Sequence, residues 1–331
     1  MGIIVQKFGG TSLSDIHGQS LLLSQVKKAK LEGHDLVVVV SAMGRIGEPY
    51  ATDTLINLLD ITNGPLDPKK KDLIMSCGEI ITTAIIAHLI DIHGMTSEGL
   101  SGFQAGILTD EQFNTAEIID IDVSKILKYL EEGKVVVVAG FQGMTKDMEI
   151  TTLGRGGSDI TAVTLAGYLG ADRVDIFTDV PGIAVIDPKI IPNPKYIEYI
   201  NYSTMQNYAS HGAKVIHPKA VSAGEKYLIP IHIKTAFHHD GCTVISEYQE
   251  VNNKIIGIGV TTDEELGCIS IFLDSNDSEL KEKVNGCVEL NLELKLGSCW
   301  YDDYLLIHLD NMAVLPMAKK LYKCFNVHNL I

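Results

Sequence analysis

The 331 residues include 46% hydrophobic and 21% charged side chains, a balance that excludes a disordered chain. A formal net charge of −15 argues against a nucleic-acid partner, because phosphate backbones are held by an excess of Lys and Arg. The length is too great for one minimal core and predicts two domains.

Met1-Gly2-Ile3-Ile4-Val5 enters a strand pattern directly, without a basic segment and cleavage site, so no secretory signal is expected. Ile3–Phe8 reads as a short strand and Gly9-Gly10-Thr11-Ser12 as a turn. Leu21, Leu22, Val26 and Ala29 give a helical pattern that Gly33 ends. Asp35–Ser41 is a near-continuous apolar run, as expected of a parallel strand covered on both faces. Leu73–Ile90 reads as helix, Lys134–Ala139 as a second buried strand, Thr161–Leu169 as a helix stopped by Gly170, and Arg173–Thr178 as a strand. This alternation predicts an α/β fold with a mainly parallel central sheet and helices on both faces. Ligands of such sheets sit beyond the carboxyl ends of the strands. A site is therefore expected in the loops after Val5–Phe8, Val37–Val40, Val135–Ala139 and Val174–Phe177.

The polar stretch Glu247–Lys254 marks a join. Beyond it, Ile255–Val260, Cys268–Leu273, Leu290–Leu296 and Tyr304–Leu309 read as strands, and Glu279–Val284 and Met312–Cys324 as helices. They predict a small antiparallel sheet with helices on one face, of the ferredoxin-like kind. The expected domains are 1–248 and 255–331. No apolar run of membrane-spanning length is expected. The six cysteines are scattered without a CxxC pair, and read as free, mostly buried thiols of a reducing cytoplasm with no metal-binding role.

Gly154-Arg155-Gly156-Gly157-Ser158-Asp159 is the most informative segment. It opens an apolar helical run, where backbone N–H groups attract anions and glycines let the backbone come close. Arg155 adds a fork suited to a carboxylate or phosphate. Asp159 either caps the helix or orients an ammonium group over a phosphate. Lys7 precedes Gly9, Gly10 and Ser12, a combination able to cradle a phosphoryl group but lacking the P-loop spacing. Glu79 lies among Ile80, Ile81, Ala84 and Ile85, so it needs a partner such as a substrate ammonium, unless it faces water. Thr178-Asp179-Val180-Pro181-Gly182 ends a strand in a tight turn, structural or nucleotide-facing, and Lys214 is flanked by Ala213 and Val215. His211, His217, His238 and His239 invite a metal reading, but no metal set is expected, because the last two are neighbours that would point apart in an extended chain.

These segments, with Ser41-Ala42-Met43-Gly44, Gln104-Ala105-Gly106-Ile107 and Gly212–Pro218, occur in one order, and over residues 1–245 the chain resembles the aspartate kinases of the amino acid kinase fold. The tail resembles a single ACT-type regulatory domain more weakly. The resemblance implies ATP-dependent phosphorylation of the β-carboxylate of L-aspartate, giving 4-phospho-L-aspartate, the first step towards lysine, threonine, methionine and diaminopimelate. It implies that Lys7 and Lys214 neutralise the migrating phosphoryl group, that Gly9 and Gly10 donate N–H bonds to it, and that Asp159 orients the lysines. Arg155 would clamp the aspartate α-carboxylate, Glu79 its ammonium, and Thr52 and Ser158 would also touch the substrate. Ser12, Ser41, Thr178, Asp179, Lys189 and Lys214 would face ATP, and Mg²⁺ would arrive with the nucleotide rather than on protein ligands. A homodimer, with an amino-acid effector at the tail, is also implied.

Three residues depart from the family pattern: Pro181 replaces an Asp, Ala184 an aromatic residue, and Lys189 an Arg. They leave nucleotide affinity open, since Lys189 keeps a charge but loses a bidentate fork. Two rival readings remain: another amino acid kinase, or a non-catalytic protein that binds amino acid and nucleotide.

Overall fold

Every side chain from Leu36 to Val40 is fully buried, which requires a strand covered on both faces. The computed structural model that shows this describes residues 2–60, 64–213, 215–235, 241–247, 252, 254–262, 266–291 and 295–331. In chain order the elements are β1 (Ile3–Phe8), α1 (Ile16–Leu31), β2 (Asp35–Val40), α2 (Thr52–Asp60), α3 (Pro68–Ile92), β3 (Ser97–Leu100), β4 (Ile107–Thr109), β5 (Ile118–Ile121), α4 (Ser124–Glu131), β6 (Val135–Ala139), β7 (Gln142–Met144), β8 (Ile150–Thr152), α5 (Gly157–Leu169) and β9 (Arg173–Thr178). They continue with β10 (Tyr199–Asn201), α6 (Tyr202–Ser210), α7 (Pro218–Tyr227), β11 (Ile231–Thr235), β12 (Cys242–Ser246), β13 (Ile255–Thr262), β14 (Leu266–Leu273), α8 (Ser278–Asn291), β15 (Lys295–Trp300), β16 (Tyr304–Asp310) and α9 (Asn311–Val327).

Contacts divide the chain into two compact units, Met1–Asp179 with Ser222–His239, and Val180–Val221 with Asp240–Ile331. The division does not fall at the polar stretch 247–254. Residues 180–221 go with the tail because of pairings remote in sequence, such as the Ile258 N–H donating to the Val185 carbonyl at 2.6 Å.

The first unit carries the parallel order β11-β9-β1-β2-β6-β3, as the alternation predicts. One face of its centre packs Ile4, Phe8, Leu36, Val38 and Val40 against Leu22 and Val26 of α1 and Ile86 and Ile90 of α3. Asp15 caps α1 by accepting the Gly18 N–H at 2.7 Å. Contrary to the sequence expectation, α3 is long and apolar enough to cross a membrane by length and composition. Here it packs against the sheet, with Asp72 and Glu79 among its buried residues. A smaller sheet, β5-β4-β7-β8, leads into the glycine-rich segment.

The second unit holds the parallel pair β10–β12 and the antiparallel sheet β13-β14-β16-β15. Leu280, Val284 and Val288 of α8 and Val314, Leu321 and Phe325 of α9 are buried. The layout is ferredoxin-like, except that β13, which precedes the unit's first hairpin turn, takes the edge place beside β14. The expected strand at Leu290–Leu296 is corrected: Leu290 and Asn291 still belong to α8, and the strand is Lys295–Trp300. Leu280, Val284, Cys287 and Val288 are buried at helical spacing, and that face carries α8 through Asn291. The buried Tyr208 hydroxyl lies 2.9 Å from the carbonyl oxygens of both Ala184 and Val185, which share its one proton. All six cysteines are free, but only Cys287 is buried and Cys299 is exposed, so the expectation of mostly buried thiols is corrected too.

Candidate active site

Strand alternation at the end of β1 turns Phe8 into the core, where it stacks on Phe177 with ring centroids 4.6 Å apart, and Lys7 to the opposite face. The Lys7 ammonium lies 2.7 Å from Asp159 Oδ1, with 13% of each side chain exposed. The contact is an ion pair, not an aligned hydrogen bond: Asp159 Oδ1 makes no hydrogen bond of good geometry. Asp159 stands in the first turn of α5, but the cap position is Gly156, with φ of 73°, and no side chain caps the helix. The capping alternative for Asp159 is thereby overturned. Gly154 (φ 72°) and Gly156 both need the left-handed backbone that other residues resist, and they swing Arg155 out to the exposed surface of the turn.

Glu79 faces the same space from α3. It is 2% exposed, its Oε1 accepts the Ala42 N–H at 3.0 Å, and its Oε2 has no hydrogen-bond partner. Burial pushes its carboxyl up to about 8, with the Ala42 N–H opposing. Asn114, at φ 69°, presents a second buried oxygen, Oδ1, without a partner. Unmatched buried acceptors of this kind call for a donor, and an ammonium group supplies three.

Lys7, Ser41, Thr52, Glu79, Arg155, Ser158 and Asp159 all border one cavity of about 520 Å³, lying where β1, β2 and β6 end. That is the expected position for three of the four loops. Thr178 and Asp179, at the end of β9, do not line it; Thr178 Oγ1 donates to Asp179 Oδ1 at 3.1 Å. Gly9, Gly10 and Ser12 do not line it; Gly10–Ser12 form a 3-10 turn that Gly9 precedes. A Cβ on Gly10 would collide with the Ala42 carbonyl oxygen, so glycine lets the first two strand ends approach. Lys189 is in the second unit, where its N–H donates to Asp187 Oδ1 at 2.8 Å. Lys214, His238 and His239 lie outside the described residues.

Five lining residues escaped sequence reasoning: Lys71, Met75, Asn114, Phe141 and Ile56. Lys71, Met75 and Glu79 are four residues apart on one face of α3, a spacing that could have revealed the first two. Phe141 has φ of 70°, a strained value for an aromatic residue, and its N–H donates to Thr161 Oγ1 at 3.0 Å. Nothing in the sequence signals that. Asp72, also missed, is 0% exposed and supports the cavity wall from behind. Its Oδ2 accepts the N–H groups of Asn114 and Thr152, each at 2.9 Å, and its Oδ1 the Thr152 hydroxyl at 2.6 Å.

The family model described as "Amino acid kinase family" matches residues 2–235. Aspartokinase 1 of Bacillus subtilis (strain 168) is 42% identical over 248 residues, covering 75% of this chain and 61% of that protein. Aspartokinase 2 of the same strain is 39% identical over 272 residues, covering 82% of this chain and 65% of that protein. The crystal structure of E. coli aspartokinase III in complex with aspartate and ADP superposes with a TM-score of 0.79 at 20% identity, over 98% of this chain and 100% of that one, a likeness of fold. The chain spans less than two thirds of the length of these two curated relatives.

Proposed function

Since the chain belongs to the amino acid kinase family, we propose that it is an aspartate kinase, transferring the γ-phosphoryl group of MgATP to the β-carboxylate of L-aspartate. The observation that carries this reading is that a Lys7–Asp159 ion pair shares one cavity with the partnerless oxygens of Glu79 and Asn114 and with the exposed Arg155. A free amino acid offers an ammonium for the first pair of oxygens and an α-carboxylate for the guanidinium. The similarity to aspartokinases supports aspartate as the amino acid.

The reaction asks little covalent work of the protein. The substrate carboxylate is already a nucleophile at neutral pH, so no general base is needed. What is needed is two anions held in line with their repulsion cancelled. Lys7 supplies positive charge where the phosphoryl group migrates, and Asp159 holds that ammonium in place. Glu79 and Arg155 fix the substrate by its α-groups, with Thr52 and Ser158 beside them. Ser41, Gly9, Gly10 and Ser12 serve the phosphate side. Thr178, Asp179, Lys189 and Lys214 belong to the nucleotide side of the same proposal, Lys214 as the second ammonium over the phosphoryl group. Pro181, Ala184 and Lys189 alter that side and predict changed nucleotide affinity.

Residues 1–248 would form the catalytic part and 255–331 an ACT-like regulatory part that takes an amino-acid effector. The working form would be a cytoplasmic homodimer; sedimentation showing monomer alone at micromolar concentration would remove the dimer from the proposal. The decisive experiment traps the acyl phosphate as hydroxamate with a panel of carboxylic acids, on wild type and Lys7→Ala. Turnover of aspartate lost in Lys7→Ala supports the proposal. Turnover of glutamate or acetylglutamate instead makes it another amino acid kinase. Binding of aspartate and ATP without product makes it a regulatory binding protein.

A further inference from the structure

Cys287 and Cys324 are far apart in sequence, yet α8 and α9 bring their sulfurs to 2.8 Å, with the Cys324 thiol donating to Cys287. His328 stands four residues after Cys324, at the cap of α9, on the same helix face. One donor atom from each of the three lies within 4.8 Å of both others. Cys287 is buried, Cys324 half-buried and His328 exposed, so the trio runs from the helix–sheet core outward to solvent. Among the described residues no other group of three or more His, Cys, Asp or Glu meets in this way.

From this juxtaposition we propose that Cys287, Cys324 and His328 form a binding site for a borderline-soft divalent ion of the Zn²⁺ class. Two sulfurs and an imidazole are the donors such an ion prefers, while hard cations such as Mg²⁺ prefer oxygen. On one zinc ion the sulfurs sit about 2.3 Å from the metal and therefore about 3.8 Å apart. The pair reaches that spacing by opening roughly 1 Å, a side-chain movement of the half-buried Cys324. Each thiol gives its proton to solvent as its sulfur–metal bond forms, so one ion releases two protons. His328 supplies the third bond through a ring nitrogen and water the fourth. The imidazole is what favours a metal over a simple redox pair, since a disulfide between the two cysteines would leave His328 without a part. The ion would tie the C-terminal turn of α9 to α8 and so brace the helix layer over the small sheet. The ion would take no part in phosphoryl transfer.

The test titrates the full, reduced chain with Co²⁺ under anaerobic conditions, followed by displacement with Zn²⁺. One equivalent should produce thiolate-to-cobalt charge transfer and tetrahedral ligand-field bands, abolished by Zn²⁺. Cys324→Ser should weaken binding at least about a hundredfold and His328→Ala about tenfold, whereas Cys299→Ser, at an exposed thiol, should leave it unchanged. Cys324 and His328 are not buried, so their variants test the site even if Cys287→Ser does not fold. Zn²⁺ should also raise the melting temperature of wild type and not of Cys324→Ser. Absence of the cobalt bands, or bands unchanged in Cys324→Ser and His328→Ala, overturns the proposal. So does a reduced chain that binds no metal but loses two hydrogens between Cys287 and Cys324 when treated with oxidised glutathione, which would mark a redox pair instead.

Discussion

The ammonium of Lys7 and the carboxylate of Asp159 stand 2.7 Å apart, one at the end of the first strand and the other in the first turn of α5. Asp159 fixes where that positive charge sits before any substrate arrives. Substituting Lys7→Ala should therefore lower kcat for hydroxamate-trapped product by about a hundredfold or more, the scale of one lost oxyanion donor. The KM for aspartate should change far less. A variant with raised KM and unaltered kcat would show that Lys7 binds substrate and does not act on the transition state.

Glu79 predicts a proton count. Burial pushes its carboxyl up to about 8, so at pH 7 the ligand-free protein holds it mostly protonated. An ammonium against Oε2 favours the charged form. Aspartate binding at pH 7 should thus release up to about one proton, seen by calorimetry in buffers of different ionisation enthalpy. The same shift acts on folding. The unfolded chain loses this proton near 4.5 and the folded one near 8, so the folded state binds more protons in between. Its stability should then fall as pH rises across that interval and level off above it. Glu79→Gln should flatten the slope in urea melts and remove the proton release.

Asp72 carries none of the chemistry and should still be costly to lose. Asp72→Ala strips the acceptor from the buried N–H of Thr152 and the N–H of Asn114, at roughly 1–3 kcal/mol for each donor left unsatisfied. A loss of about 3 kcal/mol in denaturant unfolding is expected, together with a raised KM for aspartate as the Asn114 wall loosens. An unchanged unfolding midpoint would refute the supporting role.

Arg155→Lys keeps the charge and removes the fork. The KM for aspartate should rise about tenfold or more. β-Alanine keeps the amine and the reacting carboxylate but has no α-carboxylate, so wild type and Arg155→Lys should handle it alike. A selective loss with β-alanine would place Arg155 on the phosphoryl group instead.

Much of the site was legible because chemistry and spacing coincide. Lys7 stands at the end of the first strand beside two glycines, and Arg155 and Asp159 sit among glycines at a helix start; each signal is local. The parallel sheet was legible for the same reason, since fully buried strands such as Val37–Val40 read as unbroken apolar runs. What escaped depends on pairings between distant residues. Asp72 looks like an ordinary helix-face carboxylate until Thr152 comes to it from β8. Phe141 takes a left-handed backbone that an aromatic residue does not announce, and Asn114 enters through a bond to Asp72, 42 residues away. The union of 180–221 with the tail rests on contacts such as Tyr208 to Ala184, with no trace in composition.

That tyrosine has a mechanical consequence. Its hydroxyl grips the peptide oxygens at 184 and 185, and Val185 is gripped again by the Ile258 N–H of β13. The stretch bearing two of the chain's unusual residues, Ala184 and Lys189, is thereby yoked to the edge strand of the small sheet. Any sideways slip of that strand drags the stretch along, so an amino acid that shifted β13 would need no further relay to be felt there.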